Sequence, residues 1–359
     1  MELMKAHQQW AKRPDDECYE NLIDLKNAVD NRRKISKQRN LSFNAIKAIG
    51  TDQGLTLETD RGNAIPTHYA FGQMCVQLGI PAGYLREIPS DLAALNLNHG
   101  LTSKGREVET KMLAAVHDDY TEVRAFTGVK YGRIWDSEVV QLAEHAVERS
   151  NGKFHNPPSH DPRKNGLYAS DRDCFIFMID GGSQLEAGPR AHLNRGFFLW
   201  NSETGSATFG CMIFYFNSVC GNHIVWGAQN VQKLAIRHSK YGPYRFEHEG
   251  LPMLLQQANE SMAPMEATVR KAQTILLPKP EVKSESTEDV LLDYVKKVDR
   301  TFTKGEVREA IEYAKNEEGQ CITLWDLVQG FTASARDYAY TDARVKLETR
   351  AGNLLKLAA

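Results

Sequence analysis

The stretch Gly205-Ser206-Ala207-Thr208-Phe209-Gly210-Cys211-Met212-Ile213-Phe214-Tyr215-Phe216 decides the fold. It is an apolar, aromatic run that leads into Asn217-Ser218-Val219-Cys220-Gly221-Asn222-His223. A second short apolar run, Ile224-Val225-Trp226-Gly227, follows. Two such runs separated by a polar turn predict a buried hairpin. Beyond it the chain turns basic, from Lys233 through Arg237-His238-Ser239-Lys240 to Tyr241-Gly242-Pro243-Tyr244-Arg245, with no acid from Val225 to Arg245. A hairpin feeding a cationic segment edged with aromatics is a platform for an anionic ligand.

Upstream, short apolar runs joined by tight turns extend the sheet. Phe175 to Ile179 predicts a buried strand that ends at Asp180-Gly181-Gly182-Ser183. Gly196 to Trp200 predicts another, turning through Asn201-Ser202-Glu203-Thr204-Gly205 into the hairpin. Short turns instead of crossover helices make the pairing antiparallel. Residues 150–171, rich in Asn, Gly, Pro, Ser and Asp, read as a long surface loop.

Towards the N-terminus, Phe43 to Leu57 alternates as a hairpin around Thr51-Asp52-Gln53-Gly54. Pro66-Thr67 opens a helix through Leu78, with Ala70, Phe71, Met74, Cys75 and Leu78 on one buried face. Gly79-Ile80-Pro81 stops it. Ala82 to Glu87 is a short helix, and Ser90-Asp91 caps another that carries Leu92, Leu95 and Leu97. Glu107 to His117 and Glu122 to Thr127 pair as strands. Gly128 to Arg133 is a Gly-flanked basic turn, and Asp136 starts an amphipathic helix. Residues 31–39 hold five cations and no acid, which fits a phosphate-seeking arm or a solvated helix end.

After Pro252 the pattern is helical, broken by a linker at Leu277 to Ser286. Thr303 with Glu306 matches a capping box, and Leu324, Leu327, Val328 and Phe331 mark a buried face. Ala333 to Leu357 reads as a long polar helix. The expected class is α+β, a central antiparallel sheet flanked by helices with a helical C-terminal region. Its parts are a basic N-terminal arm or helix over 1–40, a core over 41–276, a linker over 277–287 and helices over 288–359.

Composition sets the outer limits. Hydrophobic content of 42% and charge of 25% over 359 residues suit a soluble globular protein with a sizeable core. A net charge of −2 confines any nucleic-acid surface to a local patch. No apolar run approaches the roughly 18 residues that span a membrane, and Met1 to Lys5 opens no signal core. A cytoplasmic protein with free, buried cysteines is expected.

Three blocks carry a family resemblance. They are Pro66-Thr67-His68-Tyr69-Ala70 with Leu78 to Leu85, Val123-Arg124-Ala125-Phe126-Thr127-Gly128-Val129-Lys130-Tyr131-Gly132-Arg133-Ile134, and Phe214 to Asn222 with Ile236-Arg237-His238 downstream. Together, over roughly residues 40–350, they resemble the phage/plasmid-like protein family, known only as a domain of unknown function. The chain departs from that pattern at Gly221, where the family has a polar residue. The resemblance implies a phage or mobile-element origin and a bacterial cytoplasm. It implies no catalytic residue.

Enzymatic readings are thin. Cys220 beside His223 and His238 could form a thiolate pair, but a cysteine ending an apolar run is commonly inert core. Cys220, His223 and His238 or His192 lack the second half of a zinc site. Asp171 and Asp173 read as turn capping. There is no Walker loop. No catalytic residue, cofactor or metal is expected.

The polar-cationic set remains: Arg124, Lys130, Tyr131, Arg133, Arg190, His192, Arg195, Lys233, Arg237, His238, Lys240, Tyr241 and Arg245. Lysine and arginine neutralise phosphates, while aromatic faces stack bases without reading them. The function this supports is binding of single-stranded nucleic acid, in annealing, recombination or replication, by a homo-oligomer. Two alternatives stand beside it. One is a nucleotide- or nucleic-acid-processing enzyme using His238; the other is a host-protein-binding counter-defence or structural protein.

Overall fold

The computed structural model describes residues 17–52, 54–150, 153–156, 166–186, 192–217, 223–225, 233–250, 252, 254, 263–282, 284–335, 347 and 350–358. The chain is α+β, as expected, but it builds two sheets instead of one central sheet. The first has six strands in the order β1-β5-β6-β4-β3-β2. These are β1 (Ser36–Ser42), β2 (Lys47–Thr51), β3 (Gly54–Thr59), β4 (Gly62–Pro66), β5 (Glu109–Val116) and β6 (Thr121–Gly128). The β4–β6 pair is parallel, because three helices intervene between these strands. Those helices are α2 (His68–Leu78), α3 (Ala82–Glu87) and α4 (Ser90–Ser103).

Helix α2 begins and ends where its residues dictate. The Thr67 hydroxyl accepts from the Ala70 N–H, and Gly79 closes the helix at φ 68°. Its five apolar residues are buried, as their spacing predicts. Helix α4 differs from expectation. Ser90 donates to the Thr51 carbonyl and caps nothing, and Leu92 and Leu95 are exposed. Ala93, Ala94, Leu97 and Leu101 face the core instead. The first turn of the helix lies against Gly50 of β2, where a Cβ would sit 2.5 Å from the Asp91 nitrogen, so only glycine fits on the strand there.

The basic N-terminal stretch is docked and structured. Helix α1 (Leu22–Ile35) carries Arg32, Arg33 and Lys34 in its last turn, where the helix dipole favours cations. Lys37 and Arg39 lie on β1, which pairs with β5, so the first sheet starts before residue 41.

The second sheet joins β7 (Phe154–His155), β8 (Leu167–Ala169), β9 (Cys174–Glu186), β10 (His192–Asn201), β11 (Phe209–Asn217), β12 (His223–Val225) and β13 (Lys233–Ile236), all antiparallel. Strand β9 does not stop at Gly181-Gly182. A Cβ on Gly181 would lie 2.5 Å from the His155 ring, so glycine there admits β7 and does not end β9. The expected loop over 150–171 likewise yields two short strands, whose Phe154, Leu167, Tyr168 and Ala169 are buried. Local polar composition is overridden there by sheet pairing. Helix α5 (Asp136–Arg149) and α1 cover one face of this sheet. Val140, Ala143, Ile176, Phe197, Leu199 and Phe209 form the core beneath them.

After the short helix α6 (Gly242–Arg245), a third core holds the C-terminal helices α7 (Ala263–Thr274), α8 (Thr287–Lys296), α9 (Lys304–Glu318) and α10 (Leu324–Ser334). The expected Thr303–Glu306 capping box is formed. The stretch read as a linker is fastened at its start: Leu277 N–H donates to the Ile322 carbonyl, and Leu277 is buried. Leu193, near the start of β10, also packs in this core. Of the polar helix expected over 333–357, residues 336–346 and 348–349 lie outside the described residues; at its far end Leu347, Ala351, Leu354 and Leu355 are buried in this core, so that end is apolar and docked. No described helix is long and apolar enough to cross a membrane.

Candidate functional site

The two sheets meet along a polar seam. Opposite β5, residue Arg124 is skipped in the β6 register: Leu113 faces Ala125 and Ala114 faces Val123. This one-residue bulge turns Arg124 away from the α2–α4 core into the seam. Its Nη1 donates to Glu203 Oε2 at 2.8 Å, with both side chains about fully buried. Glu203 Oε1 accepts the Asp136 backbone N–H at 3.0 Å, and Asn201 donates to Asp136 Oδ1 at 2.7 Å. Burial first, then the like charge of Glu203, push the Asp136 carboxyl far above the usual carboxylate range. Arg124 was expected among the phosphate-binding cations. With its charge answered by Glu203 and its surface gone, it is a seam residue instead.

Beside the seam the Gly128–Arg133 turn lies against residues 237–242. Gly132 N–H donates to the His238 carbonyl at 3.1 Å. A Cβ on Gly132 would sit 2.0 Å from the Ser239 carbonyl oxygen, and one on Gly242 2.5 Å from that of Arg237. Only glycine allows this approach. The two basic segments, far apart in sequence, are thereby joined. Lys130, Arg237, Lys240 and Tyr241 are exposed along the join.

Tyr131 and His238 stack with centroids 4.9 Å apart and planes 6° from parallel. The Tyr131 hydroxyl donates to the Ser202 carbonyl at 2.9 Å. His238 Nδ1 accepts from the Ile134 N–H, so the ring proton sits on Nε2. Burial lowers the His238 pKa to about 4, so it is neutral at pH 7. Arg133 is 5% exposed, with its guanidinium 5.2 Å from the Tyr131 centroid and 5.6 Å from that of Trp135.

Tyr131 also walls a cleft of about 700 Å³ between α2, the end of β6 and the 201–205 turn. Tyr69, Gln73, Arg86, Phe126 and Arg172 line it, and no aspartate or glutamate does. Gln73 sets its floor, donating to the Thr204 carbonyl at 2.7 Å and accepting from the Phe126 N–H at 2.9 Å. Arg172 lies 4.7 Å over the Tyr69 ring, and Arg86 donates to the His68 carbonyl at 2.8 Å. Gly205, at φ 90°, brings the turn against Tyr131 and Thr127.

The structure thus unites Lys130, Tyr131, Arg133, Arg237, His238 and Lys240 from the expected set. Others are elsewhere. Arg195 is buried on β10, roughly 20 Å along the strand from Asn201 at about 3.3 Å per residue, and His192 is farther still. Arg245 is paired with Glu249 at 2.6 Å. Lys233, on β13, pairs through its backbone with Met212 of β11, while its side chain, Arg190 and Cys220 lie outside the described residues. Asp173 accepts from the Ser170 hydroxyl, but the side chain that caps this turn is Ser170, whose oxygen accepts the Arg172 and Asp173 backbone N–H groups. Sequence reading missed Tyr69, Arg86, Arg172 and Gln73. Their one signal was Tyr69 on the unburied side of α2.

A family model described as a domain of unknown function, DUF932, matches residues 129–353. No curated protein and no solved structure matches the chain.

Proposed function

The chain belongs to the DUF932 family, and from that premise we propose that it binds single-stranded nucleic acid, bases in the cleft and backbone along the adjoining cationic ridge. The observation that carries this reading is the cleft's chemistry: two tyrosines, two arginines and no acid in a volume of about 700 Å³. Tyr69 and Tyr131 offer faces for sequence-tolerant stacking, worth about 1–3 kcal/mol per base. Lys130, Arg237 and Lys240 continue the positive charge outside. A role in phage or plasmid recombination, with self-assembly along the strand, is the setting we infer.

The reading that uses His238 as a general acid or base has weaker support. A ring held neutral, wedged on Tyr131 and with Nδ1 occupied is poorly placed to exchange protons with a substrate.

Fluorescence anisotropy with a labelled oligonucleotide, titrated with salt, tests the proposal. Tyr69→Ala should weaken binding by about 1–3 kcal/mol. The Lys130→Ala, Arg237→Ala, Lys240→Ala triple variant should flatten the log–log salt slope by about 2, at about 0.7 per single-strand phosphate. Absence of binding by the wild type at low salt, or an unchanged slope in the triple variant, refutes it.

A further inference from the structure

Arg133 is the least satisfied charged group near the cleft. Its Nη1 and Nη2 are buried and have no acceptor. Its one polar contact is Nε to the Gln38 side-chain oxygen, at 3.3 Å. Tyr131 and Trp135 give it π faces but no lone pairs at the fork. A second cation sits beside it. Lys111 Nζ donates to the Tyr131 carbonyl at 2.7 Å, and after burial the charge of Arg133 is what depresses its pKa. Arg33 adds a third charge, 3.7 Å over the Trp135 ring.

Among the described residues no carboxylate lies within ion-pair distance of these three cations. The carboxylates that reach Arg133 electrostatically are Glu203 and Asp136, and both are engaged in the seam. Buried polar groups in folded proteins find partners, so the bare, buried fork of Arg133, with the half-exposed Lys111 beside it, marks a place for an anionic acceptor.

We propose that Arg133 and Lys111 form a receptor for a phosphate group, entered by displacing the exposed side chain of Gln38. The planar guanidinium presents a fork that matches two phosphate oxygens, and the lysine adds a point charge. Two close cations suit a phosphomonoester, with a charge of about −1.5 to −2, better than a phosphodiester. The source is either free inorganic phosphate or the terminal phosphate of a strand. Only the second source rests on the strand-binding reading above.

The full chain is titrated with inorganic phosphate against sodium chloride at matched ionic strength, by thermal melting and calorimetry. The site predicts a phosphate-specific rise in Tm with one-to-one stoichiometry. Arg133→Met should abolish it. Lys111→Met should weaken phosphate by about tenfold, the worth of one charge-assisted contact. No phosphate-specific effect in the wild type, or an equal effect in Lys111→Met, overturns the site. Should Arg133→Met not fold, the half-exposed Lys111 position still decides. A second arm compares oligonucleotides with and without a 5′ or 3′ phosphate. Tighter binding of either phosphorylated strand, lost in Lys111→Met, assigns the site to strand ends. Equal binding overturns that source while an Arg133-dependent phosphate effect keeps the site. Failure of every oligonucleotide to bind sinks the strand reading alone.

Discussion

Replacing Asp136 by asparagine should reverse the alkaline loss of stability that this carboxyl imposes. Asp136 is fully buried at the head of α5, and its pKa is raised from 3.8 to about 8, by burial and then by Glu203. Folded protein therefore holds a proton at neutral pH that the unfolded chain releases. For an acid raised in this way, the stabilisation is complete below about pH 3.8 and declines as pH rises, until the folded carboxyl ionises near 8. The slope inside that window is about 1.4 kcal/mol per pH unit. Asparagine keeps an acceptor for Asn201 and puts an N–H where the acid held its O–H, with no proton to release. Between pH 5 and 7 the variant should gain about 3 kcal/mol on the wild type. Urea unfolding at pH 5, 6 and 7, followed by tryptophan fluorescence, measures the difference. Parallel pH profiles for the two proteins would refute the assignment of a buried, protonated Asp136.

Further outcomes concern the same seam and the helical bundle. The neutral His238, with its pKa lowered from 6.5 to about 4, loses stabilisation as pH falls through that interval. His238→Gln should flatten the acid limb of the urea profile by about 3 kcal/mol. Arg124→Met and Glu203→Gln should each cost about 3–5 kcal/mol, and the Arg124→Met/Glu203→Gln double variant much less than their sum, in a double-mutant cycle of unfolding midpoints. Gly330→Ala places a Cβ 2.0 Å from the Ala310 carbonyl oxygen, where α9 and α10 cross. A loss of about 1–3 kcal/mol from overpacking should outweigh alanine's gain of about 1 kcal/mol in helix propensity.

Much of the fold was legible because local chemistry and tertiary packing agree. Thr67, Gly79 and the five apolar residues of α2 each do locally what the whole requires, and so do Thr303 with Glu306 and the apolar face of α10. The division into two sheets was not legible, because strand partners are chosen by packing between distant segments. Nothing local marks β4 as the parallel neighbour of β6. The site was legible in part for a similar reason. Gly128, Gly132 and Gly242 flag tight backbone, but which basic segments they bring together depends on the approach of residue 132 to residue 239. Arg124 reads as a strand cation in sequence. Its fate was set by a bulge and by Glu203, a residue that looks like ordinary turn polarity.

Strand β10 runs through three surroundings in ten residues, from Leu193 in the helical bundle, past Phe197 and Leu199, to Asn201 in the seam. It ties remote parts together through one continuous strand, irregular only between Asn194 and Gly196 in its pairing with β9. The same strand leads into the turn whose Ser202 and Thr204 carbonyls accept from Tyr131 and Gln73, so the helical bundle and the wall of the cleft share one short length of backbone.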